Sequence, residues 1–318
     1  MTRTEVASFL REHDNYLILT HKRPDGDAIG CSVAMVEILR LMGKTAWMPS
    51  VSDANELFTE YLEGHLAPAG FEPDTVISVD MASIGLLPAH SACWSDRIDL
   101  AIDHHPSNEG FTKNLLLEGD KAACGEIIYA LAEGLGVMSP AVADALYVAV
   151  STDCGCFVYS NVTPNAHRVA AALMDAGADY KRLNKKHFRT KTMARMRLES
   201  LILQNMELLH DGVVAVVPIS LEMMAKAGVD ETDLEDISSF IGVIAGVRHS
   251  ATVRELKPGE CKISLRTAAD LNASDVCARL GGGGHAAAAG CTMSGSVDEA
   301  KAAIVNAINA QIAGGHNG

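Results

Sequence analysis

Four apolar segments of this chain run directly into acidic residues or histidines, and this pattern constrains the fold most strongly. The run "YLILT", which begins at Tyr16, has the length of a short buried strand. The segment "HKRPDGD" follows it, with a proline and a glycine that break regular structure. Helical spacing of apolar residues then continues to Gly43. We therefore expect His21, Asp25 and Asp27 on a tight loop at the carboxyl end of a strand, where open α/β sheets bind ligands.

The same arrangement occurs three more times in the first half of the chain. "TVISVD" ends at Asp80, "LAIDHH" ends in Asp103, His104 and His105, and "ALYVAVST" is followed by Asp153. One acid after a strand is an ordinary cap or turn residue. Four such sites close together would bury carboxylates at a high free-energy cost unless cations neutralise them.

The residue types in this pattern indicate which cation would neutralise the buried carboxylates. Carboxylate and imidazole ligands without thiolates suit a hard or borderline divalent ion, Mn²⁺ or Mg²⁺, better than structural zinc. With about six ligands, the pattern predicts two ions about 3.5–4 Å apart. Such a pair promotes in-line displacement at phosphorus, so the sequence predicts phosphoester hydrolysis.

Strand and helix patterns alternate through the N-terminal part of the chain, which predicts an α/β fold with a mostly parallel sheet flanked by helices. A helical pattern then leads into a second series of strands and helices. We expect a catalytic domain over residues 1–189, a helical linker over residues 190–211 and a smaller α/β domain over residues 212–318.

The composition limits the cellular setting and the partners. The formal net charge of −14 argues against a broad grip on long duplex nucleic acid, but not against short anionic substrates. No apolar run is long enough to span a bilayer, and "MTRTEVASF" does not resemble a secretory signal, so we expect a cytoplasmic protein that does not bind a membrane. The eight scattered cysteines indicate reduced thiols.

Two basic or glycine-rich segments have more than one interpretation. The segment from Lys181 to Arg197 holds eight of the 26 Lys and Arg residues and no acid. It is either a solvated basic helix face or a rim that attracts phosphate groups. The segment "GGGGHAAAAG" lets the backbone approach an anion closely, with His285 beside it, although a flexible linker would have a similar composition.

Taken together, these motifs resemble those of the DHH phosphoesterase superfamily. "HKRPDGDAIG", "VISVD", "IDHHPSN" and "STDCGCF" are similar to its four motifs, in order and with suitable spacing. "SLRT" and "GGGGHAAAAG" are similar to its DHH-associated C-terminal domain. The resemblance covers nearly the whole chain. Cys154 departs from the pattern, because the family often has threonine there, and either packing or sensitivity to oxidation would explain it.

The resemblance implies a role for each motif residue. His21, Asp25 and Asp80 would hold one Mn²⁺ ion, with Asp80 bridging to the other. The second ion would be held by Asp27, Asp80, His104 and Asp153. His105 would face the substrate phosphate and act in catalysis with Asp80, and Asp103 would orient a ligand histidine.

The resemblance also implies a substrate site in the second domain. Gly282, Gly283, Gly284 and His285 would grip a terminal phosphate or sugar of the substrate. Arg266, in "SLRT", would add a bidentate phosphate contact.

The implied activity is that of a Mn²⁺-dependent phosphodiesterase of the oligoribonuclease type, with Mg²⁺ or Co²⁺ as alternative ions. It would cleave very short RNA to nucleoside 5′-monophosphates, with the second domain across a cleft, and 3′-phosphoadenosine 5′-phosphate is a further substrate that the resemblance allows. A phosphodiesterase for cyclic di-AMP or linear pApA is an alternative with the same metal motifs. A nucleotide-binding regulator without turnover is an alternative of another class. The resemblance also allows a homodimer.

Overall fold

The chain folds into two compact units in this computed structural model, which describes residues 1–230, 232–234 and 237–314. The first unit is Met1–Thr190, and the second begins at Lys191. The predicted α/β class is confirmed, because a parallel sheet with flanking helices is followed by a second, mixed sheet. The expected boundaries of the catalytic domain, linker and second domain stay predictions, and residues 315–318 lie outside the described residues.

The first unit contains five strands and seven helices in its described residues, apart from short 3-10 turns. The strands are β1 (Tyr16–Leu19), β2 (Ala46–Trp47), β3 (Thr75–Val79), β4 (Leu100–Asp103) and β5 (Leu115–Leu117). The helices are α1 (Arg3–Glu12), α2 (Gly26–Leu41), α3 (Thr59–Leu62), α4 (Cys124–Leu135), α5 (Pro140–Asp153), α6 (Pro164–Asp175) and α7 (Tyr180–Arg189).

The sheet of the first unit is parallel throughout, in the order β2-β1-β3-β4-β5. Every residue of β1, β3 and β4 is buried, as expected where helices cover both faces of a parallel sheet. All three central strands therefore end at the same edge, where their following loops meet.

Helices α2 and α5 pack unusually closely through two glycines. An ideal Cβ on Gly30 would lie 2.4 Å from the Ala145 carbonyl oxygen and 2.8 Å from the Ala149 nitrogen. One turn earlier, a Cβ on Gly26 would lie 2.3 Å from Thr152 Oγ1. This close approach brings the start of α2 to the end of α5, and with it the acids at those two helix ends.

The second unit contains a six-stranded mixed sheet in the order β10-β11-β9-β8-β7-β6, in which only β7 and β8 are parallel. Its strands are β6 (Glu207–Leu209), β7 (Val214–Ile219), β8 (His249–Lys257), β9 (Glu260–Arg266), β10 (Gly283–Gly284) and β11 (Ala288–Ser294). Its helices are α8 (Met193–Asn205), α9 (Leu221–Ala227), α10 (Ile237–Ile241), α11 (Ala273–Ala278) and α12 (Val297–Gly314). One apolar cluster packs the sheet against α11 and α12, and another packs β7 against α8, α9 and α10.

The helices of the described residues are too short or too polar to cross a lipid bilayer. This finding agrees with the absence of a long apolar run in the sequence.

The close packing of α2 on α5 leads to a stability prediction. We expect Gly30→Ala to lower the free energy of unfolding by about 1–3 kcal/mol, because the added methyl group overpacks the helix interface. Gly134 offers a matched control, since it lies in α4 with open space around its Cβ position. Gly134→Ala should raise the free energy of unfolding by about 0.4–1 kcal/mol. Urea denaturation of both variants measures these changes. Equal changes in the free energy of unfolding would contradict the close packing of α2 on α5.

Candidate metal centre

Seven of the eight acids and histidines predicted from the first-half motifs, all except Asp103, lie together at the carboxyl edge of the first sheet. They form three groups whose ligand atoms lie within 4.8 Å of one another. The groups are His21, Asp25 and Asp80; Asp27, His104 and Asp153; and Asp80, His104 and His105. The structure therefore brings all of these side chains into one cluster, while their role as metal ligands stays a prediction.

Asp80 lies between the two main groups. His104 Nε2 is 3.5 Å from Asp80 Oδ1, and His21 Nε2 is 3.9 Å from Asp80 Oδ2. The backbone of Asp80 is left-handed, with φ +53°, directly after β3. Such a conformation costs about 1–3 kcal/mol in a non-glycine residue and is concentrated at functional sites. Each carboxylate oxygen of Asp80 thus faces a different group, which is the arrangement a bridging ligand requires.

His104 is the centre of the second group. Its Nε2 lies 3.5 Å from Asp153 Oδ2 and 3.8 Å from Asp27 Oδ2. Its Nδ1 lies 3.1 Å from the Lys121 carbonyl oxygen. Because a carbonyl can only accept, Nδ1–H donates to it and the Nε2 lone pair is left facing the carboxylates.

His21 has the same tautomeric arrangement at the edge of the cluster. Its Nδ1 lies 3.0 Å from the Lys22 carbonyl oxygen, and its Nε2 is 4.0 Å from Asp25 Oδ1. Both imidazoles therefore present Nε2 as a ligand atom.

Asp25 and Asp27 diverge because one precedes helix α2 and the other lies inside it. Asp25 caps the helix by accepting the N–H groups of Asp27 and Ala28, each at 3.1 Å. Asp27 is buried and accepts N–H groups from the start of α4, at Cys124 and Gly125. The one-residue step between the two acids thus sends their carboxylates to different groups.

The electrostatics of the cluster fit divalent cations. Burial raises the pKa of Asp27 and Asp80 well above the ordinary aspartate value, and neighbouring carboxylates raise it further. Burial and the charge of Asp25 raise the pKa of Asp153 to about 7. Asp80 Oδ1 is buried and accepts no hydrogen bond from the described residues. A buried oxygen without a donor, among oxygen and imidazole nitrogen ligands, fits a hard divalent ion.

Asp103 fixes the ring of His105, which lies beside the ring of His104 with 4.4 Å between the ring centroids. Its Nδ1 lies 2.8 Å from Asp103 Oδ1, while Asn108 Nδ2 donates to Asp103 Oδ2 at 2.6 Å. The hydrogen bond to Asp103 raises the pKa of His105, and the side chain is 42% exposed. Asp103 Oδ1 also accepts the His104 backbone N–H at 2.8 Å, while the Lys121 carbonyl accepts from the His104 ring. The expectation that Asp103 orients a ligand histidine stays a prediction.

The predicted substrate residues of the second unit lie around one strand end. Arg266 is the last residue of β9 and pairs with Ala288 at the start of β11. His285 is exposed, and its N–H donates to the Ala288 carbonyl at 2.8 Å in the turn before β11. The sheet register therefore places Arg266 beside the turn that carries His285.

Two of the glycines before His285 are needed for close backbone packing, whether or not the loop binds a ligand. An ideal Cβ on Gly282 would lie 2.3 Å from the Gly290 carbonyl oxygen. Gly284 has φ +145°, and its Cβ would lie 2.7 Å from the Ala288 carbonyl oxygen. These two glycines are required by the close pairing with β11, whereas the space beside Gly283 is open. An anion site at this loop stays a prediction.

The basic segment is largely an ion-paired helix surface. Arg182 and Lys186 both bind Glu60, at 2.9 Å each. Lys191 and Arg195 both bind Glu199, at 2.8 Å each. Half of the eight cations thus have carboxylate partners, which favours the solvated-face interpretation.

Cys154 is fully buried in the core of the first unit. Burial and the neighbouring Asp153 raise the pKa of its thiol to about 12. This environment favours packing over reactivity.

Comparison with known proteins assigns both parts of the chain. Residues 15–150 match the DHH family, N-terminal domain, and residues 211–314 match the DHHA1 domain. A bifunctional oligoribonuclease and PAP phosphatase NrnA of Thermus thermophilus is 28% identical over 300 residues, covering 93% of this chain and 89% of the relative.

Two solved structures share the fold. An exopolyphosphatase-related protein from Bacteroides fragilis has a TM-score of 0.86 and 22% identity, over 97% of this chain and 96% of the other. The exonuclease RecJ bound to manganese has a TM-score of 0.51 and 15% identity, over 98% of this chain and 94% of the other. The chain therefore belongs to the DHH family of phosphoesterases and carries a DHH domain followed by a DHHA1 domain.

Proposed function

We propose that this protein is a cytoplasmic, metal-dependent phosphodiesterase that hydrolyses very short RNA oligonucleotides to nucleoside 5′-monophosphates. Removal of the 3′-phosphate from 3′-phosphoadenosine 5′-phosphate is the second activity in this proposal. The observation that carries it is the position of Asp80, with one oxygen facing each of two groups of ligand atoms. The name and coverage of the Thermus relative support the choice of substrates.

Two divalent ions would occupy the cluster. His21, Asp25 and Asp80 would hold one, and the other would be held by Asp27, Asp80, His104 and Asp153. We propose Mn²⁺, with Mg²⁺ or Co²⁺ as alternatives, and the manganese in the related RecJ structure supports this choice. When bound, such a pair neutralises charge on the phosphoryl group and lowers the pKa of a coordinated water.

The protein side chains would orient the substrate and supply a proton. The hydrogen bond to Asp103 raises the pKa of His105, which favours an imidazolium in an exposed position beside the cluster. From there His105 would bind a phosphate oxygen and donate a proton to the leaving oxygen. Asp103 and Asn108 would keep the His105 ring in place, because both Asp103 oxygens are occupied by hydrogen bonds.

The second unit would bind the part of the substrate that does not react. Arg266 presents a planar guanidinium suited to two phosphate oxygens. His285 and the open backbone at Gly283 would add donors from the neighbouring turn. A homodimer stays a prediction at the level of the family resemblance.

The position of Asp80 between the two groups of ligand atoms leads to a prediction about turnover. Purified protein with Mn²⁺ should cleave RNA dinucleotides to pentanucleotides and 3′-phosphoadenosine 5′-phosphate faster than cyclic di-AMP or RNA of about 24 nucleotides. Asp80→Asn should lower kcat/KM by more than about 100-fold, because even partners that only orient metal ligands cost about 10- to 100-fold.

Asp175→Asn is the control for this experiment, since Asp175 is an exposed acid of α6 outside the cluster. It should retain full turnover. Preference for cyclic di-AMP would contradict the proposed substrates, and nucleotide binding without any turnover would contradict an enzymatic role.

The raised carboxylate pKa values lead to a pH prediction. Between about pH 4 and pH 7 the raised pKa keeps more protons on Asp153 in the metal-free folded protein than in the unfolded chain, so the contribution of this carboxyl to stability falls as the pH rises. Ions bind the deprotonated carboxylates. The increase in Tm produced by saturating Mn²⁺ should therefore grow from about pH 5.5 to about pH 8.

Calorimetric melts with and without Mn²⁺ measure this increase. Asp153→Asn, which removes the carboxyl that titrates near pH 7, should flatten its pH dependence. If the Mn²⁺-induced increase in Tm stays constant or becomes smaller from about pH 5.5 to about pH 8, the proposed ligand set is wrong.

A further inference from the structure

Asp27 is the most constrained carboxylate of the cluster. Its Oδ2 accepts the Cys124 N–H at 2.6 Å, and its Oδ1 accepts the Gly125 N–H at 3.0 Å. Both donors belong to the first turn of α4, where N–H groups have no partners within the helix. A third donor, the Cys31 thiol, lies 3.1 Å from Oδ1.

Cys31 occupies the position in α2 that can reach Asp27. It lies one helical turn after Asp27, so the two side chains share a face of the helix. Its exposure is 0%, and it lies inside the core of the first unit. The thiol thus has no access to water, and it donates to Oδ1 of Asp27.

Cys124 provides a close comparison within the same structure. Its side chain is also 0% exposed, but its thiol donates to the Ile102 carbonyl at 3.4 Å and not to Asp27. The same carbonyl accepts the Asp80 N–H at 3.0 Å. The two cysteines are therefore equally buried neighbours of the cluster, and of their two thiols the one on Cys31 donates to a carboxylate of the proposed metal centre.

Three donors on two oxygens fix the rotation of the Asp27 carboxylate. Oδ1 is taken by Cys31 and Gly125, while Oδ2 remains 3.8 Å from His104 Nε2. By contrast, the Asp25 side chain is 60% exposed and is held only as a helix cap. A carboxylate fixed before the ion arrives loses less conformational freedom on binding.

We propose that Cys31 is a positioning residue for metal binding, whose S–H group holds Asp27 in the orientation that a divalent ion requires. The inference rests on the proposed function, because it takes Asp27 as a ligand of the metal centre. Removal of the thiol would leave Asp27 held by the two backbone N–H groups alone, so its carboxylate would be less firmly fixed in its orientation toward His104. Metal affinity, rather than folding, would then suffer.

The experiment compares Mn²⁺ binding by calorimetry in the full chain and in three variants, Cys31→Ala, Cys31→Ser and Cys261→Ala. Cys31→Ala should weaken Mn²⁺ binding by about ten-fold, the effect of removing a group that orients a ligand. Cys31→Ser keeps a donor and should bind Mn²⁺ clearly more tightly than Cys31→Ala. Cys261→Ala removes an equally buried thiol from the second unit, where it donates to the Gly295 carbonyl, and should bind Mn²⁺ nearly as the native protein does.

The outcomes separate this inference from the proposed function. If the native protein binds no Mn²⁺, the proposed metal centre itself fails. If it binds Mn²⁺ and Cys31→Ala binds equally well, or Cys261→Ala loses as much affinity, the positioning role is wrong. If Cys31→Ala does not fold by circular dichroism, Cys31→Val fills the volume without a donor and should show the same ten-fold loss.

Discussion

The mutual repulsion of buried carboxylates is the constraint on which the rest of this structure depends. Asp27, Asp80 and Asp153 lie within a few ångströms of His104, and burial raises the pKa of all three. A folded chain keeps such a cluster only if something compensates for its electrostatic cost. Divalent ions in the proposed metal centre would provide that compensation, and the same ions would support phosphoryl-transfer chemistry.

The fold assembles this cluster from elements that are stable for other reasons. Fully apolar strands form a parallel sheet, and their loops meet at one edge because parallel strands all end there. Gly26 and Gly30 allow α2 to lie against α5, which brings Asp27 to Asp153. The unfavourable parts, such as the left-handed backbone of Asp80, are confined to the loops. The strained site thus depends on the packed core behind it.

Much of the site could be predicted from sequence because the signals are local. The strand that precedes His21, the turn residues between it and Asp27, and the helical spacing that follows all lie within one short segment. The partners of these side chains could not be predicted, because they come from distant parts of the chain. The Lys121 carbonyl that orients His104 and the α4 N–H groups that hold Asp27 carry no signature in the sequence.

Two further details of the site have the same origin. Asp103 is next to two histidines in the sequence, and the direction of the chain after β4 places its carboxylate against the His105 ring and the His104 backbone N–H. The glycines before His285 are typical of an anion-binding loop, but Gly282 and Gly284 are also required by the pairing of β10 with β11. Composition alone cannot separate these two reasons for a glycine, since both depend on which backbone lies opposite.

Anomalous diffraction at the manganese edge, from crystals grown with Mn²⁺, tests the central claim most directly. The account predicts two peaks about 3.5–4 Å apart in the first unit. One should lie among His21, Asp25 and Asp80, and the other among Asp27, His104 and Asp153. A single ion, or peaks away from these side chains, would contradict a two-ion phosphodiesterase centre.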